Sequence, residues 1–443
     1  MNTEKLAGIL HARLKGGNVT FDGVDTDTRT LQPGNLFFAL KGDSHDGHGY
    51  VSDAVDRGAV AVVVDREVDC DVPQIIVTDT LIALSDYAAW HRKQLNPTVI
   101  AITGSCGKTT TRKLMQSILC TAGFNVLATH RNWNNHIGVP LMLLRLTPEH
   151  EFAVLELGAN HAGEIAHLAE LVQPHIGVIT NAAAAHLEGF GSLAGVARAK
   201  GELYQALGTQ GTAVVNADDE FYDYWNTIIP CNTVTFAKNA PANVQISYDE
   251  SASSIFDMSI NGNNPISVLM PLLGHHNYSN AAAAAAVSQT LGLSANAIKR
   301  GIECTEPEYG RLVEKSGKLG ASIIDDSYNA NPHSVKAAID LLGTRRGSKV
   351  LVLADMLELG EKASEHHRHI GGYAREKGID ALLLFGPLSV ATADGFGDGA
   401  QHFSSRSNLI EKLHEHLREN VTVLVKGSNS MKMSEVVQAV LEQ

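Results

Sequence analysis

Along much of this chain, short apolar runs alternate with stretches whose apolar residues recur at helical spacing. The most regular stretch has a β-branched apolar run at residues 99–102, a glycine-bracketed turn at 104–107 and a helical pattern that lasts to about Ala122. Strands that alternate with helices in this way predict a parallel sheet with right-handed helical crossovers. Further strands are predicted at residues 126–128, 152–155, 176–180 and 212–215.

Beyond this region the pattern changes twice. Residues 244–270 contain short apolar runs broken by Asn-Gly-Asn-Asn, which predicts an antiparallel hairpin. An alanine-rich run at residues 280–291 predicts a helix, because alanine has the highest helix propensity. After Gly310 the alternation of strands and helices resumes and predicts a second α/β sheet. Its predicted strands are residues 322–324, 349–354, 381–385 and 422–425.

The N-terminal part of the chain is richer in loops. Residues 28–49 are loop-rich, a helical stretch follows, and an apolar run at 59–65 predicts a strand. The tetrapeptide Gln32-Pro33-Gly34-Asn35 has proline and glycine where a type II turn prefers them. A helix predicted at residues 80–95 ends before Pro97, because a residue that precedes proline disfavours the helical conformation.

These patterns predict an α/β protein of three domains. The length of 443 residues agrees, because a typical domain has about 100 to 200 residues. We expect a small α/β N-terminal domain at residues 1–97, a central parallel-sheet domain at residues 98–310 and a C-terminal Rossmann-like α/β domain at residues 311–443.

Composition narrows the classes of function. No apolar run approaches the roughly 20 residues that span a bilayer, so no membrane insertion is expected. The N-terminal stretch lacks the features of a secretory signal, so a cytoplasmic location is expected. The formal net charge of −13 disfavours a nucleic-acid partner, because such a partner requires a surface that neutralises phosphates. Five scattered cysteines without a C-x-x-C pair predict reduced thiols.

The turn after the first central strand has the composition of a phosphate-binding loop. Its glycines let backbone N–H groups converge on an anion, Lys108 adds a positive charge, and the helix N-terminus adds a favourable dipole. The usual G-x-x-x-x-G-K-[ST] spacing has a glycine at the position of Ile102, so this loop is a shortened TGSxGKT form. A nucleoside triphosphate is the expected ligand, and the predicted ATP-binding residues of the loop are Gly104, Ser105, Cys106, Gly107, Lys108, Thr109 and Thr110.

Two side chains of this loop have specific interpretations. Thr109 carries the first hydroxyl after the lysine and is the expected Mg²⁺ ligand. Cys106 is either a tolerated small residue or a catalytic thiol. The first interpretation is favoured, because the other residues of the loop already explain the site.

Three side chains further along the chain are candidates for chemistry. Glu156 directly follows a predicted strand, where it is either a metal ligand or a solvated strand-end acid. His186 lies a few residues beyond another strand end, at the edge of the sheet where ligands bind, and is either a structural or a functional histidine. The functional interpretation is favoured, because its strand-end position agrees with that of Glu156. Lys200 lies in a predicted helix among small and apolar residues, and its spacing alone indicates a solvated helix residue.

The remaining candidates lie at helix starts and in strand-end loops. Asn277 and Asn280 are one helical turn apart and either cap a helix or hydrogen-bond a base edge. Residues 325–334, DDSYNANPHS, end a strand and begin a helix, so their polar side chains either cap that helix or bind a polar ligand. Arg311 follows the predicted linker, and MLELG and VKGSNSMKM are further strand-end loops.

In their order along the chain, these segments resemble the Mur ligase family. The resemblance rests on TGSCGKTTT, VLELGANHAGEI, TNAAAAHLEGFG, ARAKGEL, GHHNYSNAAAA, YGR and DDSYNANPHSVKAAI, which together cover essentially the whole chain. RNWNNHIGVP and DDSYNANP resemble the family member that adds D-alanyl-D-alanine to UDP-N-acetylmuramoyl-tripeptide. A DNPR-like motif, which marks the sibling that adds the third residue, is absent from the sequence.

The resemblance implies roles for individual residues in the ATP site. Thr109 and Glu156 would hold one Mg²⁺, while His186 and Lys200, the latter carbamylated by CO₂, would hold or support a second. Asn277, Asn280 and Asp326 would lie near the adenine or ribose, and Arg311 would be directed towards the phosphates. The implied catalytic residues are Lys108, Glu156, His186, Lys200 and Arg311.

The resemblance also implies substrate contacts. Thr28, Arg29, Lys41, Gly42 and Asp46 fall in the loops that would bind the UDP-linked substrate, and Asn132, Asn134 and Asn135 in the loop that would face the muramoyl peptide. Asn329, Asn331 and Ser334 would contact the incoming dipeptide. The sequence departs from the family pattern at Cys106, where serine or another small residue is expected, and at Asn429 and Lys432, where arginines are expected.

The implied reaction is ATP-driven amide formation in peptidoglycan precursor synthesis. The terminal carboxylate of the tripeptide would attack the γ-phosphate to give an acyl phosphate and ADP, and the amine of D-alanyl-D-alanine would then displace phosphate. The alternatives are another Mur or folylpolyglutamate-type ligase and a nucleotide-binding protein without catalytic activity. Four retained residues together argue against the last alternative: Lys108, Glu156, His186 and Lys200. A monomer is expected.

Overall fold

The structure is a computed structural model that describes residues 1–42, 45–249 and 254–442. The chain divides into two compact units. The first consists of Met1–Ala101, Phe124–Ala159 and Glu164–His175. The second consists of Ile102–Gly123, Asn160–Gly163 and Ile176–Gln443. The three predicted domain ranges are not the ranges of these units, and the domain boundaries stay a prediction.

The N-terminal region, part of the first unit, is a small mixed sheet with helices. The strands lie in the order β1-β5-β4-β3-β2, and β1 is antiparallel to β5 while the other neighbours are parallel. The described helices and strands up to residue 97 are α1 (Thr3–Ile9), β1 (Arg13–Lys15), β2 (Gly23–Asp25), β3 (Asn35–Phe38), α2 (Val51–Asp56), β4 (Ala61–Val64), β5 (Gln74–Ile76) and α3 (Thr80–Gln94).

Local sequence signals account for the connections in this region. The Asn35 N–H donates to the Gln32 carbonyl at 3.1 Å, and Gly34 has a φ of +91°, so the predicted type II turn is confirmed. The Asp79 carboxylate accepts hydrogen bonds from the N–H groups of Leu81 and Ile82 and caps α3. The predicted strand at 59–65 and helix at 80–95 correspond to β4 and α3. Residues 43 and 44 of the predicted loop-rich stretch lie outside the described residues.

The central region contains a long alternation of helices and strands. Its described elements are β6 (Thr98–Thr103), α4 (Lys108–Thr121), β7 (Val126–Ala128), α5 (Gly138–Leu143), β8 (Phe152–Glu156), α6 (Glu164–Val172), β9 (Ile176–Ile179), α7 (Leu187–Phe190), α8 (Leu193–Gln205), β10 (Thr212–Asn216), α9 (Tyr222–Ile228), β11 (Asn232–Ala237), β12 (Val244–Ser247), β13 (Ile255–Ile260), β14 (Ile266–Leu269), α10 (His276–Thr290) and α11 (Ala295–Glu303).

Strand pairing in the central region follows the predicted parallel pattern. In the first unit β7 and β8 pair in parallel. In the second unit β9, β10, β11 and β12 are consecutive parallel neighbours, and β13 and β14 continue as antiparallel strands. The turn between β13 and β14 contains Asn261 and Gly262, both with positive φ, so the predicted hairpin at the Asn-Gly-Asn-Asn sequence is confirmed. Residues 250–253 of that predicted stretch lie outside the described residues.

The C-terminal region, within the second unit, is a doubly wound sheet. Its order is β15-β16-β20-β17-β18-β19, parallel except for β15. Alternate residues of β17 pack on opposite faces, Leu351 in one hydrophobic cluster and Val350 in the other, because helices cover both faces. The described elements are β15 (Val313–Ser316), β16 (Ser322–Asp326), α12 (Pro332–Gly343), β17 (Ser348–Ala354), α13 (Ala363–Glu376), β18 (Ala381–Phe385), α14 (Val390–Phe396), β19 (Ala400–Phe403), α15 (Arg406–His416), β20 (Val421–Lys426) and α16 (Ser434–Val440).

Candidate nucleotide-binding site

The glycine-rich loop joins the C-terminal end of β6 to the N-terminus of α4. Gly104 and Gly107 have φ values of +142° and +83°, in the left-handed region that favours glycine. A Cβ at Gly104 would overlap the Thr180 hydroxyl, and a Cβ at Gly107 would overlap the Asn280 side-chain oxygen. Glycine is therefore required at both positions by the backbone conformation and by the close approach of neighbouring side chains.

A cavity of about 430 Å³ in the second unit lies against this loop. Gly104, Glu156 and Lys200 are not among the described residues that line it. It brings together residues that the sequence analysis assigned to ATP and to the dipeptide. The predicted site residues that line it are Ser105, Cys106, Gly107, Lys108, Thr109, Thr110, His186, Asn277, Asn280, Arg311, Asp326, Asn329, Asn331 and Ser334.

Two cations of the candidate site lie at the start of α4. The Lys108 ammonium donates to the carbonyl of Gly104 at 2.6 Å. The Arg311 guanidinium donates to the Thr109 hydroxyl at 3.2 Å and lies 4.2 Å from the ring centroid of Tyr328. Stacking on an aromatic face fixes the plane of the guanidinium. Both positive charges therefore lie where the helix N-terminus already favours an anion.

The two amides of α10 are buried and hydrogen-bonded. The Asn280 amide nitrogen donates to the Asn277 side-chain oxygen at 2.8 Å, and the Asn277 amide nitrogen donates to the Leu273 carbonyl at 2.7 Å. The N-cap of α10 is His275, so the interpretation of these amides as N-cap residues is wrong. A contact with the base stays a prediction.

The loop before α12 has a double role in the structure. The Asn331 side chain accepts from the Ser334 N–H at 2.8 Å, and the Ser334 hydroxyl accepts from the Asn331 N–H at 3.1 Å, which forms a capping box. The predicted capping function of this segment is confirmed. The Asn331 amide nitrogen also lies 3.2 Å from the Cys106 sulfur. Cys106 therefore contacts a residue of the predicted dipeptide loop.

An ion pair stabilises the strand end that carries Asp326. The Lys426 ammonium lies 2.6 Å from the Asp326 carboxylate and donates to the Asn329 carbonyl at 2.8 Å. Burial raises the pKa of Asp326, and the neighbouring Lys426 opposes that shift. Removal of one partner would leave the other charge buried, so the pair holds the loop at residues 326–331 in place.

Burial changes the interpretation of two residues. Glu156 at the end of β8 is 1% exposed, and its N–H donates to the Thr129 hydroxyl at 2.8 Å, so the interpretation as a solvated strand-end acid is wrong. Lys200 in α8 is 2% exposed, and its ammonium lies 5.3 Å from the centroid of the Phe190 ring. The interpretation of Lys200 as a solvated helix residue is therefore also wrong.

His186 has a positive φ of 52° and an acidic neighbour from the C-terminal region. Its Nδ1 atom contacts the carboxylate of Glu358, which belongs to the MLELG segment. Hydrogen bonding to His186 lowers the pKa of Glu358. Within the described residues, no three His, Cys, Asp or Glu side chains form a group that could hold a metal ion.

A second cavity, of about 1330 Å³, lies in the first unit. Asn132 and Asn135 line it, together with Asp25 and Asp27. Aromatic and cationic side chains that the sequence analysis missed also line it. These are Lys5, Tyr87, Trp90, Arg131, Trp133 and Arg145.

Six of the eight residues predicted to contact the UDP-linked substrate or its muramoyl peptide are not among the described residues that line this cavity. The side chain of Arg29 is 84% exposed and pairs with Asp27. The Asp46 carboxylate accepts hydrogen bonds from the His48 N–H at 3.0 Å and from Arg66 at 2.8 Å. The six residues are Thr28, Arg29, Lys41, Gly42, Asp46 and Asn134.

The polar residues at two strand ends of the candidate site were not predicted from the sequence. Asn181 follows β9, and Asn216 ends β10 with Asp218 and Asp219 behind it. All four line the cavity next to the glycine-rich loop. The available signal was a pair of short polar segments, TN and NADD, at the carboxyl ends of parallel strands, where ligands gather in open α/β sheets.

Comparisons with known proteins match this chain over most of its length. Three family models match, described as "Mur ligase family, catalytic domain" at residues 20–94, "Mur ligase middle domain" at residues 102–288 and "Mur ligase, glutamate ligase domain" at residues 310–429. The helices of the described residues include none long and apolar enough to cross a membrane.

Named relatives and solved structures match over nearly full length. The UDP-N-acetylmuramoyl-tripeptide--D-alanyl-D-alanine ligase of Escherichia coli (strain K12) is 44% identical, over 99% of this chain and 98% of its own length. The structure of MurF from Acinetobacter baumannii has a TM-score of 0.90 at 33% identity, with 98% of this chain and 97% of that chain covered. MurF ligase from Thermotoga maritima in complex with ADP has a TM-score of 0.82 at 26% identity, with 94% and 96% covered. The predicted three-domain α/β fold class is confirmed.

Proposed function

This chain belongs to the Mur ligase family, and from that premise we propose that it joins D-alanyl-D-alanine to UDP-N-acetylmuramoyl-tripeptide with the use of ATP. One observation carries the proposal beyond the family. The glycine-rich loop faces Arg311 and Asn331 of the C-terminal region across a single cavity. A glycine-rich loop suited to a triphosphate and a polar loop suited to a second substrate therefore line the same cavity, which supports the proposal.

The proposed reaction has two steps. The terminal carboxylate of the tripeptide attacks the γ-phosphorus of ATP, so that a C–O–P linkage forms and ADP leaves. The amine of D-alanyl-D-alanine then attacks the acyl phosphate carbonyl, phosphate leaves with the electron pair of the C–O bond, and the amine loses a proton. Lys108 and Arg311 neutralise charge on the transferring phosphoryl group, because such transfers depend on positioning and electrostatic stabilisation.

The residues of the ATP cavity fit a magnesium-nucleotide complex. Mg²⁺ usually keeps several waters and takes only one or two protein oxygens in addition to substrate phosphates. The Thr109 hydroxyl lies at the N-terminus of α4 and accepts a hydrogen bond from Arg311 at 3.2 Å. Bound Mg²⁺ would supply charge neutralisation at the phosphates. The ligand roles of Glu156, His186 and Lys200, including the carbamate, stay predictions.

The first-unit cavity is our candidate for the UDP-linked substrate. Its volume of about 1330 Å³ exceeds the several hundred cubic ångströms of ordinary small-molecule pockets. Arg131 and Arg145 can pair with a diphosphate, and the Trp133 ring, 4.3 Å from the Arg145 guanidinium, offers an aromatic face. A large nucleotide-linked peptide matches this combination of size, charge and aromatic surface.

We extend the proposal to location and assembly. The proposed reaction consumes ATP, which is available in the cytoplasm, so we expect a cytoplasmic enzyme. A monomer also stays our expectation. Size-exclusion chromatography with light scattering measures the oligomeric state, and a stable dimer would contradict the expected monomer.

Phosphate release from ATP with a panel of substrates tests the proposed function. Release is expected only when UDP-N-acetylmuramoyl-tripeptide and D-alanyl-D-alanine are both present, with one phosphate per amide formed. Omission of either substrate is the internal control. Release with glutamate or a free diamino acid in place of the dipeptide would instead assign another ligase activity. ATP binding without any phosphate release would indicate a non-catalytic nucleotide-binding protein.

A further inference from the structure

The shortened glycine-rich loop is held by the segment that follows β9. The Asn181 side chain contacts both polar groups of one loop residue: its oxygen accepts from the Cys106 N–H at 3.0 Å, and its amide nitrogen donates to the Cys106 carbonyl at 3.2 Å. The Asn181 backbone carbonyl accepts from the Ser105 N–H at 3.0 Å. The Thr180 hydroxyl donates to the same Cys106 carbonyl at 2.5 Å.

These contacts determine which backbone N–H groups of the loop can bind an anion. In longer phosphate-binding loops several loop N–H groups point at the phosphates. Here the N–H groups of Ser105 and Cys106 are used by Asn181. The first turn of α4 has N–H groups without an acceptor inside the helix, so this turn is the part of the site suited to receive a triphosphate. The orientation of that turn depends on the loop that enters it.

The segment that holds the loop is itself anchored from the next strand. The Asn216 amide nitrogen donates to the Thr180 carbonyl at 3.0 Å, and the Asp219 carboxylate accepts from the Ala182 N–H at 2.8 Å. The Ala183 N–H donates to the Ser105 hydroxyl at 2.9 Å, which adds a further link to the loop. Strand ends β9 and β10 thus form a fixed support on one side of the loop.

We propose that Asn181 is a positioning residue of the ATP site. Its side-chain amide pairs with the N–H and the carbonyl of Cys106, and it fixes the loop in the conformation that presents the first turn of α4 to the triphosphate. Its oxygen is the acceptor for the Cys106 N–H, and its nitrogen shares the Cys106 carbonyl with the Thr180 hydroxyl. The inference depends on the proposed function only for the identity of the nucleotide.

Two substitutions separate the parts of this role. Asn181→Ala removes both side-chain hydrogen bonds. Asn181→Asp has nearly the same shape and keeps the acceptor for the Cys106 N–H, but it places a carboxylate oxygen against the Cys106 carbonyl. Each lost hydrogen bond is worth roughly a factor of five in an equilibrium constant. We expect the Kd for a non-hydrolysable ATP analogue, measured by titration calorimetry, to rise about tenfold or more in both variants.

Kinetics and folding controls make the result specific. The KM for ATP should rise with the Kd, while the KM for the UDP-linked tripeptide stays at the wild-type value. Asn408→Ala, an exposed asparagine on α15, is the matched control and should bind the analogue like wild type. Circular dichroism melts establish that each variant is folded.

The outcomes distinguish this inference from the proposed function. Wild-type Kd and KM values for the nucleotide in both Asn181 variants would overturn the positioning role, whatever the reaction is. A nucleotide affinity that falls only in proportion to a general loss of folded protein would also overturn it. Weak nucleotide binding in the variants of a protein that performs no ligation would leave the inference standing and remove the proposed reaction.

Discussion

Lys200 is a lysine with almost no exposure to solvent, since 2% of the residue is accessible. Conversion to a carbamate would turn the cation into an anion, and this is the modification that the family resemblance implies. Burial is therefore compatible with a site role, whereas the sequence alone favoured an ordinary solvated lysine.

Substitution of Lys200 tests the carbamate. Lys200→Ala should lower the rate of phosphate release about tenfold to a hundredfold, the range for loss of a metal-supporting group, and high bicarbonate should not restore it. Lys299→Ala on α11 is the control and should retain activity. In wild type, ¹³C-bicarbonate should give a carbamate carbon signal by NMR that the variant lacks. An active Lys200→Ala enzyme, or wild type without the signal, would contradict carbamylation.

The pH dependence of thermal stability tests whether Asp46 has a structural role in addition to its predicted substrate contact. Hydrogen bonding from Arg66 and His48 holds the pKa of Asp46 well below its usual range. A lowered carboxyl pKa stabilises the folded state above the unfolded pKa of about 3.9, and this contribution is lost as the pH falls through the folded pKa. Asp46→Asn should therefore lower the Tm at pH 7 and lower it by less below about pH 4.

Thermal melts from pH 7 down to 3.5 check this expectation. Asp53→Asn, an exposed aspartate on α2, is the control. A Tm difference for Asp46→Asn that does not change with pH would exclude the ion-pair explanation. If the KM for the UDP-linked tripeptide also rises in Asp46→Asn at pH 7, the predicted substrate contact is supported.

At the scale of elements, the C-terminal helix α12 illustrates how one sequence motif has two interpretations. Pro332 occupies the first turn and Asn331 with Ser334 forms the capping box, so the motif has a sufficient structural explanation. The contact of Asn331 with Cys106 adds a connection to the phosphate-binding loop. The capping role and the predicted substrate contact of Asn331 can therefore be separated only by a substitution that keeps the cap and changes the contact.

Asn331→Ala and Asn331→Asp make that separation. The alanine variant loses the cap and should lower the free energy of unfolding by about 0.5 to 2 kcal/mol. The aspartate variant keeps the cap, so its stability should stay near wild type. Its added negative charge should repel the carboxylate of D-alanyl-D-alanine and raise the KM for the dipeptide about tenfold or more.

Ser294→Ala, at the N-cap of α11, is the control for cap loss, and denaturant unfolding is the measurement of stability. A normal KM for the dipeptide in Asn331→Asp would restrict Asn331 to capping.

Most strands and helices of the central region follow from the pattern of apolar positions. The strands β7, β8 and β9 lie within one residue of their predicted limits. The strands β11 and β15 were not predicted. Apolar and polar residues are mixed along both strands, and both are partly exposed. A half-buried strand has little apolar signal of its own, and its neighbours in the sheet define it.

At the scale of the whole molecule, the proposed reaction requires groups from distant parts of the chain to act together. Thr109 and Arg311 are 202 positions apart, and Cys106 and Asn331 are 225 apart. A site assembled from several predicted domains must admit large substrates and then exclude water during transfer. We therefore predict a large opening and closing motion of the domains.

Small-angle X-ray scattering tests this motion. The radius of gyration should fall when an ATP analogue, UDP-N-acetylmuramoyl-tripeptide and D-alanyl-D-alanine are added together. The comparison is the radius of gyration of an Arg311→Ala variant with the ATP analogue alone. That variant lacks a contact between the C-terminal region and the start of α4. Identical profiles with and without all ligands would exclude the closing motion.

The sequence by itself determined the features that depend on neighbouring residues. Apolar periodicity predicted the parallel strands, the glycines with Lys108 predicted a phosphate-binding loop, and the order of the motifs indicated the Mur ligase family. Each of these signals lies within a short stretch, because strand, turn and helix propensities act locally.

Only the tertiary structure decided burial and hydrogen-bond partners. It showed that Glu156 and Lys200 are buried and that Asn181 holds the Cys106 peptide of the shortened loop. The physical reason is that solvent exposure and the partner of a side chain depend on residues far away in sequence, which come together only when the chain has folded.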